Sequence, residues 1–250
     1  MSDTSIFWFR HDLRLTDLPG LVAAAQRGPV IPVFIFDDRL GGDWAIGGAS
    51  RWWLHYSLAS LESSLKQLNG RLVIRTGDSV TALATLAEET GATSVFCSRQ
   101  YQPWADPLER QLKTTLEQQG VTFKRYPGTL LFEPEAITTG SGTPFKVFTP
   151  FWRACLKQPE PSFPVDVPKL QFPEKWPTSV ALEELALRPT APNWAEGWEG
   201  LWRPGEQGAG DALAAFLQAR VQHYGEGRDF PGEPNTSRLS PYLKFGEISP

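Results

Sequence analysis

The chain has 250 residues, 41% hydrophobic and 21% charged, which allows one large domain or two small ones of ordinary soluble globular composition. A formal net charge of −4 excludes a simple basic-patch nucleic-acid binder, though not a local basic groove. Two cysteines, Cys97 and Cys155, exclude a disulfide framework, and His11, His55 and His223 lie too far apart in sequence for a metal-ligating motif.

Met1-Ser2-Asp3 opens the chain without the charged and apolar regions of a signal peptide. The longest apolar run, Val30–Phe36, is short and contains Pro32, so no membrane span is expected and a reducing cytoplasm is the default. Apolar runs at Ile6–Phe9, Val30–Phe36, Leu72–Ile74, Ser94–Cys97 and Val121–Phe123 read as five buried strands. Helical patterns lie between them. Over residues 50–68, Leu54, Leu58, Leu61, Leu65 and Leu68 form one stripe that Asn69-Gly70 should end. Asp78-Ser79 is a good start for a helix through Val80, Leu83 and Ala87 to Gly91. A further helix carries Leu108, Leu112 and Leu116 before Gly120.

Strands alternating with helices predict an α/β domain over 1–126, a five-stranded parallel, doubly wound, Rossmann-like sheet. No G-x-G-x-x-G follows the first strand, which excludes the ordinary dinucleotide-binding fingerprint. A crevice at the carboxyl ends of the strands is still expected, so the loops after Phe9, Phe36 and Cys97 are the candidates for binding.

Thirteen of the 22 prolines fall in residues 127–204, where apolar periodicity stops. This reads as a long linker laid on the surface and pinned by Phe145, Phe148, Phe151, Trp152 and Trp176. Half of the ten tryptophans follow residue 150; packing under loops, recognition and redox chemistry all use surplus Trp. From 205 onward a helical pattern returns over Asp211–Tyr224, with Leu213, Phe216, Leu217, Arg220 and Tyr224 on one face. Ser240-Pro241 is a helix-start signal, with Ser240 as the cap. A helix that begins so near Pro250 suggests a helical domain cut short.

Thr236, Ser237, Arg238 and Ser240 group three hydroxyls and a guanidinium at that helix start, a set suited to phosphate. Read locally, an ordinary capped turn fits as well. The stretch Thr236–Pro250 (TSRLSPYLKFGEISP), preceded by Tyr224 and Arg228–Pro231, resembles the flavin-phosphate segment of the photolyase/cryptochrome family. Phe7–Leu15 resembles the family's opening strand and loop, Phe148–Arg153 a motif of its linker, and Trp202–Glu206 the entry to its helical domain.

The resemblance implies an antenna-type α/β domain followed by the start of an all-α FAD-binding domain. It implies that Tyr224, Thr236, Ser237, Arg238, Leu239 and Ser240 contact FAD, and that Arg228 meets the DNA backbone; local sequence alone fits an Arg228 ion pair with Asp229 or a nearby carboxylate equally. The implied activity is that of a deoxyribodipyrimidine photo-lyase, light-driven repair of pyrimidine dimers in damaged DNA by a cytoplasmic monomer. Its catalytic residues are expected beyond Pro250, and a cryptochrome-type blue-light receptor is the alternative. A second, antenna chromophore, deazaflavin or reduced folate, is also implied. Where some folate-binding relatives carry Asn-Glu, this sequence has Asp106-Pro107, which offers no second carboxylate, weighs against folate and leaves a deazaflavin, a flavin or an empty site open. Asp12 and Arg14 are read as a structural ion pair.

Overall fold

The apolar runs assemble into a single sheet in the computed structural model, which describes residues 3–250. Strands β1 (Ser5–Phe9), β2 (Val30–Phe36), β3 (Val73–Thr76), β4 (Ser94–Ser98) and β5 (Thr122–Tyr126) are all parallel, in the order β3-β2-β1-β4-β5. This is the expected doubly wound sheet. Side chains alternate across it: Phe7 and Phe9 enter one core with helices α1 (Pro19–Ala25) and α2 (Gly48–Gln67). Ile6 and Trp8 enter the other with α3 (Ser79–Thr90) and α4 (Ala105–Gln118).

Local signals place the helix ends. The Asp78 carboxylate accepts the Thr81 N–H at 2.8 Å and so caps α3, which Gly91 ends in the left-handed region at φ 64°. Asn69 (φ 64°) and Gly70 close α2. A Cβ at Gly70 would lie 2.3 Å from the Phe172 ring, so this glycine also admits a linker aromatic.

Three expectations need correction here. Leu54, Leu58, Leu61 and Leu65 are buried, but Leu68 is the C-cap of α2 and stands exposed. β5 is an edge strand whose Thr122, Lys124 and Arg125 face solvent, not a buried strand. Asp12 and Arg14 are both buried but are not bonded to each other. Asp12 accepts the Arg10 backbone N–H at 2.6 Å, while Arg14 donates to the carbonyls of Thr16, Asp17, Gly128 and Gly246 at 2.6–3.0 Å.

Residues 127–204 run over the surface, held by Trp176 as expected but otherwise by different side chains. Phe148, Phe151 and Trp152 lie on the short helix α5 (Phe148–Cys155), all exposed, with Phe148 and Trp152 stacked on each other. The anchors are Leu182, Leu185 and Leu187 in the core, Phe172 packed against it, and Trp176 beneath Arg71. Further on, Trp194, Trp198 and Trp202 continue the aromatic packing of Trp52 and Trp53 on α2, with ring centroids 5.2–6.3 Å apart. Much of the surplus Trp therefore packs the end of the linker.

After α6 (Trp198–Leu201), helix α7 (Glu206–Ala219) starts earlier and ends sooner than its apolar stripe predicts. The start is tied down because Glu206 accepts the Leu15 and Thr16 backbone N–H groups at 2.8 and 3.0 Å. The helix ends at Ala219, and Leu217, Val221 and Tyr224 around that end are exposed among the described residues. Tyr224 instead begins the single turn α8 (Tyr224–Gly227). The final helix, α9 (Ser240–Phe245), contains Ser240 in its first turn, with Leu239 rather than Ser240 at the cap position and no side-chain cap. It closes at Gly246 (φ 62°) and does not continue to Pro250; a Cβ there would lie 2.0 Å from the His11 carbonyl oxygen. The helical segment thus meets the β1 loop backbone to backbone.

One carboxylate completes this joint. Glu247 is buried and accepts Trp53 Nε1–H (2.9 Å), Ser57 Oγ–H (2.6 Å) and the Gly205 N–H (2.6 Å). Burial outweighs these three donors and pushes its pKa up to about 7.

Candidate functional site

The strand order reverses between β1 and β4, where open α/β sheets form their ligand crevice. A cavity of about 120 Å³, open to solvent, lies there. All three loops expected from the sequence contribute: Arg10 and His11 follow β1, Asp37 and Asp38 follow β2, and Gln100 and Gln102 follow β4. Trp8, Phe36, Trp44 and Trp104 supply aromatic walls, and Phe245 of α9 supplies another. Flat aromatic walls with few polar groups suit a planar conjugated ligand.

The inner end is rigid. Glu109 of α4, 2% exposed, holds Arg10 Nη1 at 2.7 Å and Arg125 Nη1 at 2.6 Å. The Arg10 guanidinium also lies 4.4 Å over the Trp8 ring and bonds the Ser98 carbonyl. Two cations on one carboxylate fix the side chain that faces the cavity. Burial pushes the neighbouring Cys97 thiol up to about 12, which makes it an inert structural thiol. Burial lowers the pKa of His11, favouring its neutral ring. Gln102 Nε2, which can only donate, is 3.2 Å from His11 Nδ1, so the neutral ring carries its proton on Nε2.

Within the Tyr101–Pro107 loop, Gln102, Trp104 and Ala105 line the cavity, whereas Asp106 pairs outward with Arg110 at 2.6 Å. Trp44, Asp37, Asp38 and Arg51 line the cavity although no motif marks them. Asp37 and Asp38 carry the signal of position, directly after an apolar run, whereas Trp44 and Arg51 carry none.

The residues expected to hold phosphate lie elsewhere, on the helical segment. Arg238 sits in the left-handed region at φ 53°, its guanidinium 4.2 Å over the Trp202 ring. Among the described residues it has no hydrogen-bond or ion-pair partner. Thr236 and Ser240 are exposed, and Ser237 Oγ accepts the Leu239 N–H at 3.4 Å. With six residues α9 has under two turns, so the helix dipole is weak and Arg238 is the main positive charge of the set.

Tyr224 is half-exposed and packs edge-on against Phe216, with ring centroids 5.8 Å apart. Arg228 is exposed, 3.7 Å from Asp229 and 6.0 Å from the Tyr224 ring, a loose pair that leaves its donors to solvent. Gly227 brings the two segments together: a Cβ there would lie 2.7 Å from the Asn235 side chain, one residue before Thr236.

A family model described as DNA photolyase matches residues 5–171. A deoxyribodipyrimidine photo-lyase of Agrobacterium fabrum is 47% identical over 98% of this chain and 51% of its own length. Cryptochrome-1 of Arabidopsis thaliana is 36% identical over 98% of this chain and 36% of its own. The crystal structure of a bacterial class III photolyase from Agrobacterium tumefaciens superimposes with a TM-score of 0.94 at 46% identity, covering 100% of this chain and 52% of that one. The chain spans about half the length, or less, of these relatives.

Proposed function

Because this chain belongs to the DNA photolyase family, we propose that the whole protein repairs pyrimidine dimers in DNA in a light-driven reaction that uses reduced FAD. The observation that carries this reading is the 47% identity to a deoxyribodipyrimidine photo-lyase across 98% of the chain, the phosphate segment included. Residues 1–126 form the antenna-type domain, 127–204 the linker, and 205–250 the opening of the FAD-binding domain. The protein acts as a cytoplasmic monomer; among the described residues no helix is long and apolar enough to cross a membrane.

The residues present fit the phosphate end of FAD. Arg238 is an unpartnered guanidinium held against Trp202, beside the exposed hydroxyls of Thr236 and Ser240. That donor set, with Ser237 and the Leu239 backbone beside it and Tyr224 on the preceding turn, binds and orients an anionic pyrophosphate. FAD, when bound in its reduced form, supplies the electron that light drives onto the lesion. Arg228 stands free enough to meet a DNA phosphate, which positions the duplex without reading its sequence. The strand-end cavity takes the second chromophore, with its aromatic walls against the ring system.

A second reading, a cryptochrome-type blue-light receptor, is favoured by the 36% identity to a plant cryptochrome across nearly the whole chain. Two variants of the whole protein test the assignment. Arg238→Ala should weaken flavin binding by one to two powers of ten, since charge-assisted hydrogen bonds contribute about 1.5–3 kcal/mol. Arg228→Ala should keep its flavin, weaken damaged and undamaged DNA alike, and flatten the salt dependence. Full flavin in Arg238→Ala, or flavin loss with normal DNA binding in Arg228→Ala, would reverse these roles. Dimer repair by the wild-type protein in light separates repair enzyme from receptor.

A further inference from the structure

The Arg238 guanidinium forms no hydrogen bond or ion pair among the described residues, yet it lies 4.2 Å over the Trp202 ring. A guanidinium laid flat on an indole is held by the ring's charge distribution while its N–H donors stay at the rim of its plane, free for another partner. Arg228 lacks such a seat, standing 6.0 Å from the Tyr224 ring.

Trp202 is itself held from two sides. It follows α6 in extended backbone, and its ring meets that of Trp53 edge-on at 5.3 Å. Trp53 donates its Nε1–H to Glu247 at 2.9 Å and packs edge-on against Tyr242 of α9 at 5.0 Å. The same Glu247 carboxylate accepts the Gly205 N–H at 2.6 Å, three residues after Trp202. Both the ring and the chain beyond it are therefore tied to one buried group, and the helix that follows Arg238 is packed against the same tryptophan.

We propose that Trp202 is the positioning residue of the phosphate segment: it sets Arg238 in place before the anion arrives, so that binding does not have to order a free side chain. An exposed arginine loses much rotamer freedom when it grips a ligand, and a side chain already seated on a fixed ring loses less. This rests on reading Arg238 as a ligand of the FAD phosphates, and it adds how that arginine is aimed.

The whole protein, freed of flavin, is titrated with FAD and followed by flavin fluorescence, with far-UV circular dichroism as the check on folding. Trp202→Leu keeps apolar bulk, removes the aromatic face and should weaken FAD about tenfold. Trp202→Phe keeps a smaller face and should weaken it about threefold. Combined with Arg238→Ala, neither change should weaken FAD further, because the group being positioned is gone. A tryptophan that merely packs would cost the same factor with and without Arg238, and that result overturns the proposal. So does wild-type affinity in Trp202→Leu; if Arg238→Ala has meanwhile lost affinity, the phosphate reading stands without it. Wild-type affinity in Arg238→Ala overturns the phosphate reading and the proposal together. Should Trp202→Leu not fold, the same comparison made with Trp202→Phe decides between these outcomes.

Discussion

Leu58 in α2 and Leu217 in α7 are the same side chain on the same kind of amphipathic helix, yet Leu58 is fully buried and Leu217 is 53% exposed. The difference is regional. The sheet supplies a partner surface for every helix laid against it, so apolar stripes of α2, α3 and α4 end in two continuous cores. Among the described residues, the side of the helical segment facing α2 and the β1 loop is covered: Ala209, Tyr242, Phe245 and Glu247 are buried there. Leu217, Val221, Tyr224, Phe230 and Leu243 face solvent. A stripe of apolar residues therefore shows that a helix has a face to bury, and the fold decides whether that face is covered.

The largest expected effect tests this contrast directly. Leu58→Ala should cost about 2–5 kcal/mol in chemical unfolding, by lost burial and a residual cavity. In the 250-residue chain by itself, Leu217→Ala should change stability by no more than about 0.5 kcal/mol, as exposed substitutions do. Equal costs for the two would abolish the regional distinction.

The joint between the regions should be sensitive to pH. Glu247 has a folded pKa raised to about 7 from its ordinary value of 4.5, because its burial disfavours the charge. Stability from its protonated form is fully present below about pH 4.5 and is lost as pH rises through about 7. The shift corresponds to about 3 kcal/mol at roughly 1.4 kcal/mol per unit. Glu247→Gln cannot titrate, so the stability of wild type minus variant should fall by about that amount between pH 4.5 and 7.5. A pH-independent difference between the two proteins would show that the carboxylate is not strained by its burial.

The smallest effect concerns local order inside the better-packed region. Asp78→Ala removes the cap of α3 and should cost about 1 kcal/mol, with faster amide exchange confined to the first turn of that helix. Exchange that accelerates throughout α4 and the sheet as well would mean that α3 is not an independent local unit.

Much of the scaffold was legible because short-range rules governed it. The α2 stripe, the Asp78 cap and the stops at Gly70 and Gly91 depend on residues within one or two helical turns. The misreadings share another origin. Leu68, β5 and the linker aromatics are apolar or strand-like by pattern, but their exposure depends on what the rest of the chain brings near them. Asp12 and Arg14 look like an ion pair in sequence, yet Arg14 is committed to carbonyls as distant as Gly128 and Gly246. The cavity was legible as a place, the loops after three strands, while Trp44 and Arg51 gave no sign that they belonged to it.

By itself the sequence determined the strand–helix alternation, the parallel sheet, the carboxyl-end location of the crevice and the family likeness of its motifs. Each of these follows from periodicity, capping chemistry or handedness, which neighbouring residues already encode. Only the tertiary structure decided that Arg238 lies on the Trp202 ring, that Phe245 closes a cavity begun by β1, and that Glu247 joins Trp53, Ser57 and Gly205. Those features set residues from distant parts of the chain within hydrogen-bonding or contact distance, and their energies depend on burial that no local stretch of sequence contains.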